Sequence, residues 1–417
     1  MADRAWGLGL LGGSSVARVA GPGKHALWRI GLTMRSIART YLLALLVTGL
    51  IACGGDPSTQ PVDSPDMLGA FAVGHMSFAA VDAGRDDRPL LVDVWYPVDE
   101  EDAQDSPRVK YLLLGDIGLD SEVAVEGLPV SGRQGQTLLV FSHGYGGINT
   151  QSVELMEALA SHGFIVASPE HTGNAQSSQT DSFDEAAANR VPDVSFLIDT
   201  MVARNEDPEA PFYERLDASR VGVVGHSFGG MTAIGMAAGR AGADADSRVA
   251  AIAPISAVVD GGLQSDTRPG PNAGFDAQQL SSIVVPVMLI GGTEDINVPI
   301  GNNAIAFEQI TNAPKVYKVD VIGATHTHFA NVCAIGNLLL DLGFNQETWP
   351  GLGAEALVGP YNATCSEEVF PIDEATRLQN LYVVSFFKRH LLNQGGYDQF
   401  LTTDHADTEP AIAFSVK

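Results

Sequence analysis

The feature that most constrains the fold of this chain is a glycine-flanked serine placed between a buried strand and a helix. Residues 220–225 (Arg-Val-Gly-Val-Val-Gly) form an apolar run, the motif Gly-His-Ser-Phe-Gly occupies 225–229, and small residues dominate 231–241. A serine at such a sharp strand-to-helix turn needs small residues two positions away on either side, because larger side chains would collide there. The pattern therefore predicts a nucleophile elbow with Ser227 at its tip.

Short apolar strands alternate with helices over most of the chain. This alternation predicts an α/β fold in which a mostly parallel central sheet is flanked by helices. The predicted strands are 71–81, 90–96, 137–142, 164–168, 221–225, 249–253, 285–291 and 316–322, the first two as an antiparallel pair, and the predicted helices are 154–162, 191–203, 231–241 and 375–392. Insertions follow the later strands at 258–282 and 331–371. Long insertions are often lids or binding loops, and the alternative is surface decoration.

A serine hydroxyl becomes a strong nucleophile only beside a base that an acid orients. In this kind of fold the three residues follow the chain order serine, acid, histidine. Asp295, directly after a predicted strand, is the favoured acid, and Glu294 is the competing candidate. His326 and His328 follow the next strand, and each is a candidate base. The two histidines could instead hold zinc, but a third ligand with suitable spacing is not apparent, so we expect no metal.

A second glycine-rich turn follows the third predicted strand. Its sequence at 142–147, Ser-His-Gly-Tyr-Gly-Gly, lets the backbone approach a substrate closely. We expect the backbone amides of Tyr145 and Phe228 to form an oxyanion hole, since the Phe228 amide lies at a helix N-terminus. His143 and His226 are expected to play structural roles rather than catalytic ones.

The chain carries a formal net charge of −26, from 24 basic and 50 acidic residues among 417. This excess argues against a nucleic-acid partner, which needs a basic surface, and against membrane binding through basic residues. The N-terminus differs from the rest, because residues 1–52 hold six basic residues, one acidic residue and an apolar run at 41–52. A run of twelve residues is too short to cross a bilayer, so it predicts the core of an export signal.

The apolar run ends in Leu-Ile-Ala before Cys53, which resembles the lipidation motif of bacterial lipoproteins. The expected organisation is a signal peptide at 1–52 (with 1–33 upstream of an alternative start at Met34), a lipidated flexible tether at 53–68 and one folded domain at 69–417. The alternative is an ordinary signal peptide with an unmodified cysteine. Gly54 rather than aspartate follows Cys53, which favours anchoring at the outer membrane of the bacterial cell envelope, with the lipid as the membrane contact.

Six segments, in this order, resemble a known group of enzymes. They are 88–97, 141–147, 166–174, 193–199, 225–230 (Gly-His-Ser-Phe-Gly-Gly) and 323–333 (Gly-Ala-Thr-His-Thr-His-Phe-Ala-Asn-Val-Cys). They are similar to α/β-hydrolases of the platelet-activating-factor acetylhydrolase and predicted dienelactone hydrolase type, which lie near the cutinase-like polyester hydrolases. The resemblance spans about residues 70–395 and implies the α/β-hydrolase fold.

The resemblance also bears on the base and the substrate. The pattern Gly-Ala-x-His places the base on His326, whereas the pattern His-Phe-x-x-Asn of the polyester hydrolases would place it on His328. Dienelactone hydrolases carry a cysteine nucleophile where this chain carries Ser227. Ordinary esters are therefore favoured over lactones.

Cys333 and Cys365 remain once Cys53 is set aside. In an exported protein two such cysteines are expected to pair. The bridge would stabilise the fold by roughly 3–4 kcal/mol in the chain-entropy model and would hold the segment that follows the candidate base. The alternative is two buried free thiols.

These observations predict an enzyme that hydrolyses carboxylic esters through Ser227, His326 and Asp295 and an acyl-enzyme intermediate, with no cofactor. The expected substrate is a small-molecule, lipid or polyester ester, and we expect a monomer. One alternative is an amidase or peptidase that uses the same three residues. The other is a non-catalytic surface binding protein on the same scaffold.

Overall fold

The computed structural model describes residues 62–263 and 272–417. The signal peptide predicted at 1–52, the lipidation of Cys53 and most of the tether predicted at 53–68 lie outside the described residues and stay predictions. Within the described ranges, no helix combines the length and the apolar character that a bilayer crossing requires.

The described strands form one mixed sheet. They are β1 (Ala72–Asp82), β2 (Arg88–Val98), β3 (Arg108–Leu114), β4 (Ile117–Glu126), β5 (Gln136–Ser142), β6 (Ile165–Glu170), β7 (Leu216–His226), β8 (Val249–Ile255), β9 (Val287–Gly292), β10 (Val316–Val321) and β11 (Ile412–Val416). Their order across the sheet is β11-β10-β9-β8-β7-β5-β6-β2-β1-β4-β3. From β10 to β6 every neighbouring pair is parallel, and β1 and β2 are antiparallel. The predicted fold class is thus confirmed.

The helices cover both faces of this sheet. They are α1 (Glu100–Ala103), α2 (Val153–Ser161), α3 (Phe183–Glu206), α4 (Phe228–Ala238), α5 (Ala277–Ser281), α6 (Gly301–Gln309), α7 (Val332–Asp341), α8 (Glu355–Thr364), α9 (Ile372–His390) and α10 (Thr403–Ala406), with 3₁₀ turns at Gly261–Leu263, His326–Phe329, Trp349–Leu352 and Gly395–Phe400. The four predicted helices correspond to α2, α3, α4 and α9. Helix α3 begins earlier than predicted, because Ser182 and Glu185 form a capping box ahead of its first apolar residues.

The core is divided between the two faces of the sheet, because neighbouring strand residues point to opposite sides. Phe141 and Ile290 pack with α2 and α9 on one face. Val140 and Leu289 pack with α3, α4 and α6 on the other. Burial on both faces explains why the central strands have almost no polar positions in the sequence.

Two strands at one edge and one strand at the other were not predicted. Strands β3 and β4 form an antiparallel hairpin. In the chain this hairpin lies between β2 and β5, and in the sheet it lies at the edge next to β1. An insertion therefore precedes the central strands, in addition to those after the later strands. Strand β11 pairs antiparallel with β10 at the opposite edge.

The second predicted insertion, residues 331–371, folds into α7, α8 and the 3₁₀ turn between them. We call these residues the cap. A disulfide joins Cys333 in α7 to Cys365 at the end of α8, so the predicted bridge is present. It ties the two cap helices together directly after the turn that carries His326 and His328.

The described end of the predicted tether is bound to the domain rather than free. Arg377 of α9 pairs with Asp66 at 3.3 Å, and His162 lies 3.0 Å from the carbonyl oxygen of Met67. The Gly69 amide donates to the Ser161 hydroxyl at 2.8 Å. These contacts hold residues 66–69 against α2 and α9.

Candidate active site

The structure brings together the three residues predicted as nucleophile, base and acid. Ser227 lies between β7 and α4, His326 in the turn after β10, and Asp295 after β9. His326 Nε2 lies 3.0 Å from Ser227 Oγ, and His326 Nδ1 lies 2.7 Å from Asp295 Oδ2. This is the connectivity in which an acid orients an imidazole that can accept a proton from a serine.

The backbone at Ser227 adopts a conformation that few residues other than glycine accept. Its φ is +59°, which is the strained geometry expected of a nucleophile elbow. A Cβ on Gly229 would lie 1.7 Å from the Ser142 carbonyl oxygen, and a Cβ on Gly225 would lie 2.4 Å from the Gly229 carbonyl oxygen. Both glycines of the motif are therefore required by close backbone approach.

Asp295 is held in place by the backbone that follows it. Its Oδ1 accepts hydrogen bonds from the amides of Asn297 at 2.9 Å and Val298 at 2.7 Å, which leaves Oδ2 for His326. Asp295 is buried, whereas the competing Glu294 is exposed. The hydrogen-bonded arrangement therefore includes Asp295 and leaves Glu294 at the surface.

His328, the alternative base, points away from Ser227. Its Nε2 donates to the Phe370 carbonyl oxygen at 2.7 Å, and its Nδ1 accepts from the Thr325 amide at 2.9 Å. Burial lowers the pKa of His328, which favours this neutral form. His328 thus braces the turn that carries His326, and the two rings do not face a common ligand position.

The two residues predicted to supply the oxyanion hole flank Ser227. Phe228 is the first residue of α4, where backbone amides lack acceptors within the helix. Tyr145 lies in the turn after β5, and its ring packs edge-on against Phe228 with ring centroids 5.5 Å apart. Tyr145, Ser227 and Phe228 all line the same cavity.

A series of hydrogen bonds that the sequence did not indicate connects the turn after β5 to the turn that carries His326. Gln151 Oε1 accepts from the Gly144 amide at 2.9 Å, and Gln151 Nε2 lies 2.8 Å from His226 Nδ1. His226 Nε2 in turn lies 2.8 Å from the His326 carbonyl oxygen. Burial lowers the pKa of His226 to about 3, so the neutral ring accepts from Gln151 and donates to His326. The structural role expected of His226 is therefore specific: it couples the two loops that face Ser227.

The cavity above Ser227 has a volume of about 810 Å³. Its walls come from the 144–148 turn, from the β3–β4 hairpin and from the cap, which contributes Leu339, Leu352 and Leu357 among others. Among the described residues that line it, none is Asp, Glu, Lys or Arg. The cap therefore forms part of the wall of the cavity above Ser227.

Comparisons with known proteins agree with this fold. Residues 131–321 match the model of the Chlorophyllase family. The structure is similar to that of a ferulic acid esterase from Streptomyces cinnamoneus, with 23% sequence identity, a TM-score of 0.56, and coverage of 82% of this chain and 96% of that one. No curated protein matches the sequence. The structural similarity shows the α/β-hydrolase fold, and the family match over residues 131–321 agrees with the expectation of a carboxylic ester hydrolase.

Proposed function

We propose that this protein is a serine hydrolase that cleaves carboxylic esters. The observation that carries the proposal is the hydrogen-bonded chain from Ser227 Oγ to His326 at 3.0 Å and from His326 to Asp295 at 2.7 Å. The family match over residues 131–321 supports the same reaction class.

The proposed reaction proceeds in two halves. His326 takes the proton from Ser227 Oγ as the oxygen attacks the ester carbonyl carbon, while Asp295 stabilises the imidazolium that forms. The backbone amides of Phe228 and Tyr145 stabilise the negative oxygen of the tetrahedral intermediate. His326 then gives the proton to the leaving alcohol, and an acyl group remains on Ser227. Water, deprotonated by His326, attacks the acyl-enzyme, and His326 returns that proton to Ser227 Oγ as the bond to the acyl group breaks and the acid is released.

The cavity points to a neutral ester that carries a sizeable apolar group. A charged substituent would lose its hydration against the described lining residues, none of which offers it an ionic partner. Apolar substituents would instead be buried against Phe228, Leu339 and Leu357.

The test compares two matched substrates and two serine variants. We expect p-nitrophenyl hexanoate to be hydrolysed with kcat/KM about 100-fold above that of the p-nitrophenyl monoester of adipic acid, because only the latter would bury a carboxylate. Ser227→Ala should abolish turnover and labelling by a fluorophosphonate probe. Ser256→Ala is the control, since Ser256 is buried and its hydroxyl has no hydrogen-bond partner among the described residues, and this variant should stay active.

Three outcomes would contradict the proposal at different points. Full activity in Ser227→Ala would contradict the assignment of Ser227 as the nucleophile. Equal kcat/KM values for the neutral and the charged ester would contradict the proposed preference for neutral, apolar esters. Faster cleavage of aminoacyl anilides than of esters would favour the amidase alternative.

We also propose that the enzyme is exported and anchored through a lipid on Cys53. The support is the sequence motif before Cys53 and the disulfide between Cys333 and Cys365, a bond typical of oxidising compartments. Mass spectrometry of the mature N-terminus checks this, and an N-terminus without an acylated Cys53 would contradict it.

A further inference from the structure

A buried arginine lies directly behind the turn that carries Tyr145. Arg190 projects from α3, is 1% exposed, and does not line the cavity. Its guanidinium donates to the carbonyl oxygens of His143 at 2.5 Å and Gly144 at 2.9 Å. It also donates to Asn174 Oδ1 at 2.6 Å and to Ser142 Oγ at 3.2 Å.

The contact with Gly144 acts on the same peptide unit that contains the Tyr145 amide. In a planar trans peptide the C=O and the following N–H point in opposite directions. Holding the Gly144 carbonyl oxygen from behind therefore sets the direction in which the Tyr145 N–H points. The neutral His143 ring strengthens this hold, because its Nδ1 donates to the same oxygen at 2.7 Å.

The charge on Arg190 also affects this peptide. Burial lowers the pKa of Arg190 to about 9, so the guanidinium remains protonated at neutral pH. A charged donor on a carbonyl oxygen polarises the peptide and makes its N–H a stronger donor. The nearby carboxylate of Asp193 is hydrogen-bonded to Arg88 and His171, whereas the partners of Arg190 given above are uncharged oxygens.

Arg190 also contacts the residue that supplies the other expected donor. Its guanidinium carbon lies 4.9 Å from the centroid of the Phe228 ring, and this ring packs against Tyr145. One buried cation is thus adjacent to both residues of the expected oxyanion hole.

We propose that Arg190 is a positioning residue of the oxyanion hole, which aims and polarises the Gly144–Tyr145 peptide toward the developing oxyanion. This inference rests on the proposed ester hydrolysis at Ser227. It assigns Arg190 no contact with substrate, since the guanidinium acts through the backbone of 143–145.

The test uses Arg190→Met, which keeps most of the side-chain length and removes the charge and the donors. We expect kcat to fall about 10- to 100-fold, somewhat less than for outright loss of an oxyanion-hole donor, with KM changed by less than about twofold. The affinity for a trifluoromethyl ketone, which forms a tetrahedral adduct with a reactive serine, should fall in parallel with kcat/KM. A purely structural role would not produce this parallel loss.

Arg240→Met is the matched control. Arg240 is also buried and lies 5.2 Å from the Phe228 ring centroid, but it donates to the Asn272 carbonyl oxygen instead of the 143–145 turn. This variant should retain kcat to within about threefold. An equal loss in both variants would show that removal of any buried arginine next to Phe228 suffices, and would overturn the proposal.

A further variant covers the case in which Arg190→Met does not fold, as judged by thermal melting. Arg190→Lys keeps the charge, but an ammonium has only three donors and lacks the rigid planar fork, so it cannot reproduce the four contacts of the guanidinium. We expect a folded protein with kcat reduced at least about fivefold, and an unchanged kcat would overturn the proposal. Wild-type protein and Ser227→Ala are assayed alongside, so that absence of Ser227-dependent esterase activity identifies failure of the proposed function instead.

Discussion

At the scale of single residues, the site depends on a strained serine between two glycines, Gly225 and Gly229, where any Cβ would collide with backbone atoms. Ser227 adopts a positive φ of +59°, and the chain on either side of it passes within contact distance of the neighbouring strand. The sequence motif predicted this turn correctly because the steric requirement is local. The role of Gln151 could not be predicted in the same way, since its contact with His226 joins residues 75 positions apart in the chain.

Gly229→Ala tests the steric requirement at the elbow. The added Cβ would lie 1.7 Å from the Ser142 carbonyl oxygen, and a backbone atom cannot move aside as a side chain can. We expect the free energy of unfolding to fall by about 3 kcal/mol or more, as measured by guanidinium chloride denaturation.

Gly359→Ala provides the control for this substitution. Gly359 lies in α8, and a Cβ there would meet nothing within 4 Å. Alanine favours a helix more than glycine does, but a Cβ directly before Pro360 disfavours the helical conformation, so we expect a change of less than about 1 kcal/mol in either direction. Similar effects of the two substitutions would contradict the steric account of the elbow.

At the scale of elements, prediction succeeded where burial was uniform and failed at the sheet edges. All residues of β5 and β9 are buried, so their apolar runs stand out in the sequence. Strand β3 alternates exposed and buried positions and includes Arg108 and Lys110, and β11 is only partly buried. Edge strands with mixed polarity lack the continuous apolar signal, which explains why the β3–β4 hairpin and β11 were missed.

Arg190 shows the same limit at the scale of a helix. Within α3 it appears as one of several charged residues, and only the folded sheet brings it to the carbonyl oxygens of His143 and Gly144. Chain order and strand ends, by contrast, were enough to predict Ser227, to favour Asp295 and to narrow the base to His326 or His328, because parallel strands deliver their ends to one edge of the sheet. The family resemblance was needed to choose His326.

Hydrogen bonds join the cap to the turn that carries His326. Thr364, next to the disulfide at Cys365, has its hydroxyl 2.8 Å from that of Thr325 and 2.6 Å from that of Thr327. These two threonines precede and follow His326 directly. The cap therefore supports the turn that aims the candidate base at Ser227.

Removal of the disulfide should affect both stability and turnover. The bridge joins cysteines separated by 32 positions, so the double variant Cys333→Ser, Cys365→Ser should lose about 3–4 kcal/mol of unfolding free energy. We also expect its kcat to fall several-fold, because the cap no longer restrains the His326 turn. Chemical denaturation and ester hydrolysis measure the two effects.

Thr364→Val separates these two effects, since it keeps the disulfide and removes the hydroxyl contacts. We expect a loss of only about 1 kcal/mol in stability, with a several-fold decrease in kcat. Full activity in both the valine and the double serine variant would show that the cap does not position His326.

At the scale of the whole molecule, the fold buries several histidines in their neutral form. Burial lowers the pKa of His162 to about 4 and that of His171 to about 4, and that of His226 to about 3. The unfolded chain titrates these side chains near pH 6.5. Between about pH 6.5 and 4 the unfolded state therefore binds more protons than the folded state, so stability falls as the pH falls.

Two other groups, Asp193 and His75, contribute to stability with a different dependence on pH. The hydrogen bonds of Asp193 to His171 and Arg88 outweigh its burial and hold its pKa well below the usual range, so its contribution is lost only in stronger acid. Hydrogen bonds to Asp93 and Glu126 raise the pKa of His75 despite burial. Its contribution is present at low pH and is lost as the pH rises through the folded pKa, which opposes the trend of the other histidines.

We expect the free energy of unfolding to decrease from pH 7 toward pH 4.5, with each neutral buried histidine adding up to about 1.4 kcal/mol per pH unit to the slope. His162→Gln tests one contribution. Glutamine can keep the hydrogen bond that His162 Nε2 makes to the Met67 carbonyl oxygen, but it does not titrate. Denaturation curves at several pH values should therefore give this variant a shallower slope, by about one proton, below pH 6.5. An unchanged slope would mean that His162 takes up its proton in the folded state as readily as in the unfolded chain.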